Sequence, residues 1–157
     1  DMTVDELKIE LKNREIEFNE PISWGVAIVE LFETICEEHL IQPTFIIDHP
    51  VDISPLTKLK RGDVRLVERF EPYIFNMEVG NGYSELTDPV VQLERLQNQR
   101  DEDEYENHPI DADFVKAIGC GMLPTGGVGL GIDRIIMLLT DSKSIRDIIP
   151  FPLVKPK

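Results

Sequence analysis

Glu71, Glu78 and Glu85 lie among apolar and glycine neighbours in a stretch that reads as extended backbone, where Val or Thr would be the ordinary choice. Arg69 to Phe75 and Glu78 to Leu86 are two strand-like runs, and Asn76-Met77 between them has the length of a tight hairpin turn. In that register Phe75 faces Glu78 and Glu71 faces Gly82, so Glu71 and Glu78 project from one face of the ribbon. They stand four positions apart, on the order of 13 Å at ~3.3 Å per residue. A polyphosphate with bridging divalent ions could span such a pair, because Mg²⁺ takes carboxylate oxygens, waters and phosphate oxygens. The plain alternative is a solvated ribbon with exposed glutamates.

Asn81, Tyr83 and Glu85 alternate, and on an ideal strand they share the face opposite to Glu78. A bulge at Gly80 or Gly82 would restore a common face, and glycine inside a strand often marks a bulge or a closely approaching ligand. A buried Glu85 requires a cation. Either a substrate ammonium or a protein Lys or Arg would serve.

Gly127, Gly129 and Gly131 alternate before Arg134, which leaves one strand face without side chains, against which a flat group such as adenine could lie. Arg134 falls in the first turn of the next helix, where free amides already favour an anion, and its planar fork suits phosphate. Tight helix–strand packing with Arg134 in a structural ion pair is the rival reading. A dinucleotide fingerprint is not, since G-x-G-x-G differs from G-x-G-x-x-G and no βαβ unit follows.

The elements that must position these groups follow from caps and periodicity. Thr3-Val4-Asp5-Glu6 is a capping box that starts a short helix carrying Leu7 and Leu11. Trp24, Ile28, Leu31 and Ile35 form one stripe of a helix from about Ser23 to His39, predicted to be core. Gln42 to Ile47 is a short strand bounded by prolines, and Val51 to Gly62 is a loop. Asp88-Pro89 starts a polar helix to about Gln99. Arg100 to Asn107 is an acidic, solvated connection. A further helix over Asp111 to Ile118 stops at Gly119-Cys120-Gly121, and the glycine strand runs into a buried helix, Ile135 to Leu139.

The chain has 157 residues with a net charge of −14, so a nucleic-acid backbone would be repelled and must be gripped mostly elsewhere. Cys36 and Cys120 are expected to be buried or idle thiols, and His39, His49 and His108 are scattered. No apolar run is long enough for a membrane span and no leader opens the chain, which makes a cytoplasmic location the expectation.

Pro124 to Arg134, with Gly126-Gly127-Val128-Gly129-Leu130-Gly131-Ile132-Asp133 inside it, resembles motif 3 of class II aminoacyl-tRNA synthetases. Arg69-Phe70-Glu71 and the run Glu78 to Asp88 are similar to the lysine-specific subgroup, as are Gln42-Pro43-Thr44-Phe45 and Ser54-Pro55-Leu56-Thr57-Lys58. Four blocks in family order make the resemblance specific from about Trp24 to Pro156. Residues 1–157 are read as the C-terminal portion of the catalytic domain, with 1–22 a peripheral helix and linker and 23–157 the part that matches the family.

The resemblance implies an α+β fold in which part of the antiparallel class II sheet is flanked by helices. It implies that Glu71 and Glu78 bind Mg²⁺ on ATP, with Val79 and Gly131, Ile132, Asp133 and Arg134 holding ATP, Arg134 against the terminal phosphates as the catalytic arginine. Asn81, Tyr83, Glu85 and Gly129 would form the lysine pocket, with Glu85 taking the ε-ammonium. The reaction implied is formation of lysyl-adenylate and transfer of the lysyl group to the 3′ end of tRNA(Lys), in a homodimer. Motifs 1 and 2 and the anticodon-binding domain are not found, and Gly119 to Pro124 departs from the subgroup's usual Glu-Tyr-Gly-Leu-Pro-Pro. The expectation is a chain inactive by itself. A paralogue that ligates an amino acid without tRNA and a non-catalytic regulatory piece are the alternatives.

Overall fold

The computed structural model of the chain describes residues 2–102 and 110–151. Helix α1 (Val4–Asn13) starts at the capping box, with the Thr3 hydroxyl accepting from the Glu6 amide and the Glu6 carboxylate accepting from the Thr3 amide. It packs on α2 (Trp24–Ile35), which Ser23 caps. Leu7, Leu11, Ile22 and Ala27 are buried between them, with Trp24, Ile28 and Leu31 packed around that cluster. The predicted stripe therefore lines the core while Gly25 and Ala27 are the residues fully enclosed. The helix stops at Ile35 rather than running to His39, and Glu37–His39 form a tighter 3₁₀ turn.

Gly25 is what lets α2 dock on the following loop. Its amide donates to Asp52, and a Cβ there would sit 2.7 Å from the Pro50 side chain. Strand β1 (Thr44–Ile47) is as predicted. The stretch read as loop contains a 3₁₀ turn at Val51–Ile53 and single bridges from Thr57 to Glu85 and from Leu59 to Val67.

The sheet is antiparallel, in the order β1, β2 (Arg69–Ile74), β4 (Gly80–Ser84), β5 (Gly126–Leu130), with the short β3 (Met77–Glu78) also on β2. The hairpin turn is Phe75-Asn76, one residue before the pair predicted. Both have positive φ, 50° and 60°, the requirement of the two-residue turn whose twist matches the strands. Asn tolerates that conformation better than the Met alternative. The pairing accordingly becomes Tyr73 with Glu78 and Ile74 with Met77, replacing the predicted Phe75 with Glu78. Beyond it, Phe70 pairs with Gly82 and Arg69 with Tyr83, so Gly82 faces Phe70, not Glu71.

Between these two registers Glu71 and Pro72 face three residues, Val79, Gly80 and Asn81. The chain therefore bulges by one residue at Val79-Gly80. Pro72 explains the location, because it has no N–H to continue the ladder; its carbonyl accepts from the Val79 amide at 2.8 Å. A side chain on Gly80 would meet the Gly129 carbonyl oxygen at 2.7 Å.

Helix α3 (Pro89–Glu102), capped by Asp88, extends past the predicted end and into the acidic connection; positions 103–109, the rest of that connection, lie outside the described residues. It anchors on the loop through the Gln92 side-chain amide to the Pro55 carbonyl and Arg95 to the Thr57 carbonyl, 2.6 Å. Helix α4 (Ala112–Gly119) ends at Gly121, φ 106°. Helices α5 (Ile132–Thr140) and α6 (Ile145–Ile148) follow β5. The helix after the glycine strand is not buried: Ile132, Ile136 and Leu139 are exposed. So are Phe45, Ile47, Val128 and Leu130 on one sheet face. These side chains stay largely exposed, Phe45 meeting the edge of the core through Phe70, with ring centroids 5.8 Å apart. Cys36 and Cys120 are exposed free thiols rather than buried ones. No helix among the described residues is long and apolar enough to cross a membrane.

Candidate functional site

Residues paired across an antiparallel sheet project to the same side, which sorts the chemistry onto one face. Arg69, Glu71 and Tyr73 alternate along β2. Opposite them stand Tyr83 across from Arg69 and Glu78 across from Tyr73, and Thr44 and Ile46 of β1 complete the other flank. Asn81 pairs with Gly129 and Tyr83 with Gly127. The residue inserted by the bulge is what places Glu78 on the same face as Asn81, Tyr83 and Glu85. Toward β5 that face is bare, since Gly127 and Gly129 contribute no side chain to it.

The turn at Phe75-Asn76 also brings the two carboxylates closer than the predicted turn at Asn76-Met77 would, because it pairs Glu78 with Tyr73. Glu78 stands beside Tyr73, two residues from Glu71, a diagonal separation of about 7–8 Å instead of four positions along the ribbon. Among the described residues no cluster of three or more His, Cys, Asp or Glu could hold a metal. Two carboxylates of this kind fit Mg²⁺, which takes one or two from protein and fills its shell with phosphate oxygens and water. Zinc, which prefers closed nitrogen and sulfur sets, does not fit.

Glu71 is buried, 8% exposed, and both its oxygens are engaged. Arg69 Nη2 donates to Oε1 at 2.5 Å and the Tyr73 hydroxyl to Oε2 at 3.2 Å. Burial first, then the Glu71 charge, raises the Tyr73 phenol far above its usual value, so it stays a protonated donor. His49 Nε2 lies 3.9 Å from Glu71 Oε2 and has no hydrogen-bond partner. Burial lowers its pKa, opposed by the Glu71 charge.

Arg134 Nη1 donates to the Glu78 carbonyl at 2.7 Å and to its carboxylate at 3.2 Å. The Gly131 amide donates to the Val79 carbonyl at 2.9 Å. The bulge and the start of α5 are thereby fastened together, and Glu78, Val79, Gly131 and Arg134 meet at one place with Ile132 and Asp133 between them in sequence. No side chain caps the first amides of α5, which leaves them for an anion.

Glu85 is half-buried and, among the described residues, has no Lys or Arg within ion-pair distance. That decides against a protein counter-ion within them. A Cβ on Gly127 would lie 2.9 Å from Glu85 Oε1, so the bare strand makes room for this carboxylate. Burial, then the Glu85 charge, raises the Tyr83 phenol, with Arg69 pulling the other way. Asn81 Oδ1 is buried with no hydrogen-bond partner, the mark of a group whose partner is a ligand or water.

The structure sets Glu71, Glu78, Asn81, Tyr83 and Gly129 on one sheet face, with Val79, Gly131 and Arg134 joined at its edge; Ile132 and Asp133 are placed only by their position in the first turn of α5. It adds Arg69, Tyr73 and His49. Arg69 and Tyr73 share parity with Glu71 and were open to detection; His49 arrives through the Val67 amide to His49 carbonyl bond, 2.9 Å, across a loop, for which no local signal exists.

The family model for class II tRNA synthetases (D, K and N) matches residues 4–155. A lysine–tRNA ligase of Clostridium perfringens is 52% identical over 152 residues, covering 93% of this chain and 30% of that protein. Its counterpart in Clostridium kluyveri is 53% identical over 154 residues, covering 96% and 29%. That of Thermotoga maritima is 49% identical over 154 residues, covering 96% and 28%. The chain therefore spans just under a third of the length of the relatives it matches. These comparisons lend no support to the tRNA-independent paralogue or to the regulatory piece.

Proposed function

Because this chain belongs to the class II tRNA synthetases (D, K and N), we propose that its sheet face is the lysine- and ATP-binding part of a lysine–tRNA ligase. The observation that carries the reading is Glu85. A half-buried carboxylate without a cationic partner among the described residues, beside the orphaned Asn81 Oδ1 and a floor of bare backbone, is complementary to an alkylammonium amino acid.

Lysine enters with its ε-ammonium on Glu85 and its body along Tyr83 and Gly129. Its carboxylate oxygen attacks the α-phosphorus of ATP, the bond to the bridging oxygen breaks, and pyrophosphate leaves, giving lysyl-adenylate. A ribose hydroxyl at the 3′ end of tRNA(Lys) then attacks the lysyl carbonyl, loses its proton and releases AMP. No side chain has to act as nucleophile, so catalysis is positioning and charge neutralisation. Glu71 and Glu78 would hold Mg²⁺, which when bound neutralises charge on the phosphate oxygens. Val79, Gly131, Ile132, Asp133 and Arg134 hold the nucleotide, the free α5 amides and the Arg134 guanidinium facing its terminal phosphates. With a net charge of −14, the chain leaves most of the grip on tRNA to other parts of the protein. We place the full-length protein in the cytoplasm as a homodimer.

Lysine-dependent pyrophosphate exchange, measured on this chain and on a longer form that includes upstream sequence, tests the reading. Exchange in the longer form alone is expected. Exchange in neither would remove the assignment, and exchange by this chain alone would refute the need for upstream residues.

A further inference from the structure

The face carries three carboxylates, and any of them could attract an ammonium group by charge alone. Two are already matched. Glu71 is held by Arg69 and Glu78 by Arg134, whereas Glu85 has no such partner among the described residues. Arg69 is built into its place. Nη1 donates to the Ser54 hydroxyl at 2.8 Å and the Ile53 carbonyl at 3.3 Å, Nη2 to Glu71. Its guanidinium side chain is 18% exposed and the Glu71 side chain 11%. It stands directly across from Tyr83, between the paired carboxylates and the open one.

We propose that Arg69 is a specificity-determining positioning residue: by neutralising Glu71 and fixing its carboxylate, it leaves Glu85 as the carboxylate of this face that, among the described residues, is free to receive an alkylammonium. Arg69 touches neither the ammonium nor the reacting atoms. It acts by keeping Glu71 for a hard divalent cation, which retains charge enough to share a carboxylate with an arginine, and by denying it to a substrate amine whose single charge would have to displace that arginine. The Tyr73 hydroxyl on the second Glu71 oxygen limits the carboxylate to one rotamer, which an amine arriving from the Glu85 side cannot engage. The inference rests on the lysine-pocket reading above.

The test measures L-lysine binding by calorimetry and Mn²⁺ binding by paramagnetic relaxation in this chain and in Arg69→Gln, Arg69→Lys and Glu85→Gln. In the parent chain lysine and Mn²⁺ are expected to bind independently. Arg69→Gln opens Glu71 to the amine, so saturating lysine should weaken Mn²⁺ binding by about tenfold, the scale of one charge-assisted hydrogen bond. Arg69→Lys, which keeps the charge, should restore independence. A purely structural role would lower both affinities in Arg69→Gln without making the ligands compete, and that result overturns the proposal, as does Mn²⁺ affinity insensitive to lysine in every variant. If Arg69→Gln does not fold, Arg69→Met takes its place: competition between lysine and Mn²⁺ is expected there too, and a joint loss of both affinities without competition decides against the proposal. Glu85→Gln separates the two claims. Undiminished lysine binding there removes the pocket reading itself, whereas a loss there together with no competition in Arg69→Gln removes only the role of Arg69.

Discussion

Arg134 and Glu78, 56 positions apart, are bonded twice, through the Glu78 carbonyl and its carboxylate. One is proposed to meet the terminal phosphates and the other a metal ion, so each stands where the other's proposed ligand would bind. Nucleotide and metal must therefore break the same contact, which ties their binding together.

From this contact, Arg134→Ala should weaken ATP binding while slightly strengthening nucleotide-free Mn²⁺ binding. The pair is roughly half to one-third exposed, and such pairs contribute on the order of 0–1 kcal/mol, so the gain for Mn²⁺ should not exceed about fivefold. Relaxation titration with and without nucleotide measures both, and a loss of nucleotide-free Mn²⁺ binding would contradict the exchange.

Gly127→Ala places a methyl where Glu85 Oε1 now lies 2.9 Å away, whereas Gly126→Ala meets nothing nearer than 3.7 Å. The first should weaken lysine binding with little change in melting temperature. The second should be neutral. Equal effects on lysine affinity would mean that the carboxylate does not rely on the bare strand.

Leu11 is fully buried between α1 and α2, away from the strand residues of the site. Leu11→Ala should cost about 2–5 kcal/mol by leaving a cavity, read as a lowered denaturant midpoint, while the fraction still folded keeps its lysine affinity. Reduced affinity in the folded fraction would show that the helix pair shapes the pocket.

Asp63 accepts hydrogen bonds from the side chain and backbone of Arg65, which bring its carboxyl down to about 2. A depressed folded-state pKa means that this contact stabilises above the ordinary value of 3.8 and is lost as the pH falls from there through about 2. Carboxyl titration by NMR should find the low midpoint, and Asp63→Asn should remove it together with the small stabilisation that this exposed contact supplies above about pH 4; a midpoint near 4 contradicts the contact.

Caps and periodicity carried most of the helices. Thr3, Ser23, Asp88 and Asp111 each cap the helix that follows. The side of the sheet on which each catalytic candidate stands was legible only as a conditional, because parity separates Glu78 from Asn81, Tyr83 and Glu85 unless one residue is inserted. Gly80 announced the bulge, and Pro72 on the opposite strand, with no amide to give, is the physical reason for it. The turn was misplaced by one residue because Phe75 adopts positive φ, a strain that no propensity suggests for an aromatic side chain. The apolar run of α5 was expected to be buried because its composition says so; the partner that would cover it is not among the described residues.

The central claim is that Glu85 is the counter-ion of a substrate ammonium. Calorimetric titration of L-lysine and ATP into the full-length protein and its Glu85→Gln variant tests it most directly. Loss of one charge-assisted contact predicts lysine binding weaker by about ten- to a hundredfold with ATP binding unchanged. Equal losses for both ligands, or an unchanged lysine affinity, would contradict it.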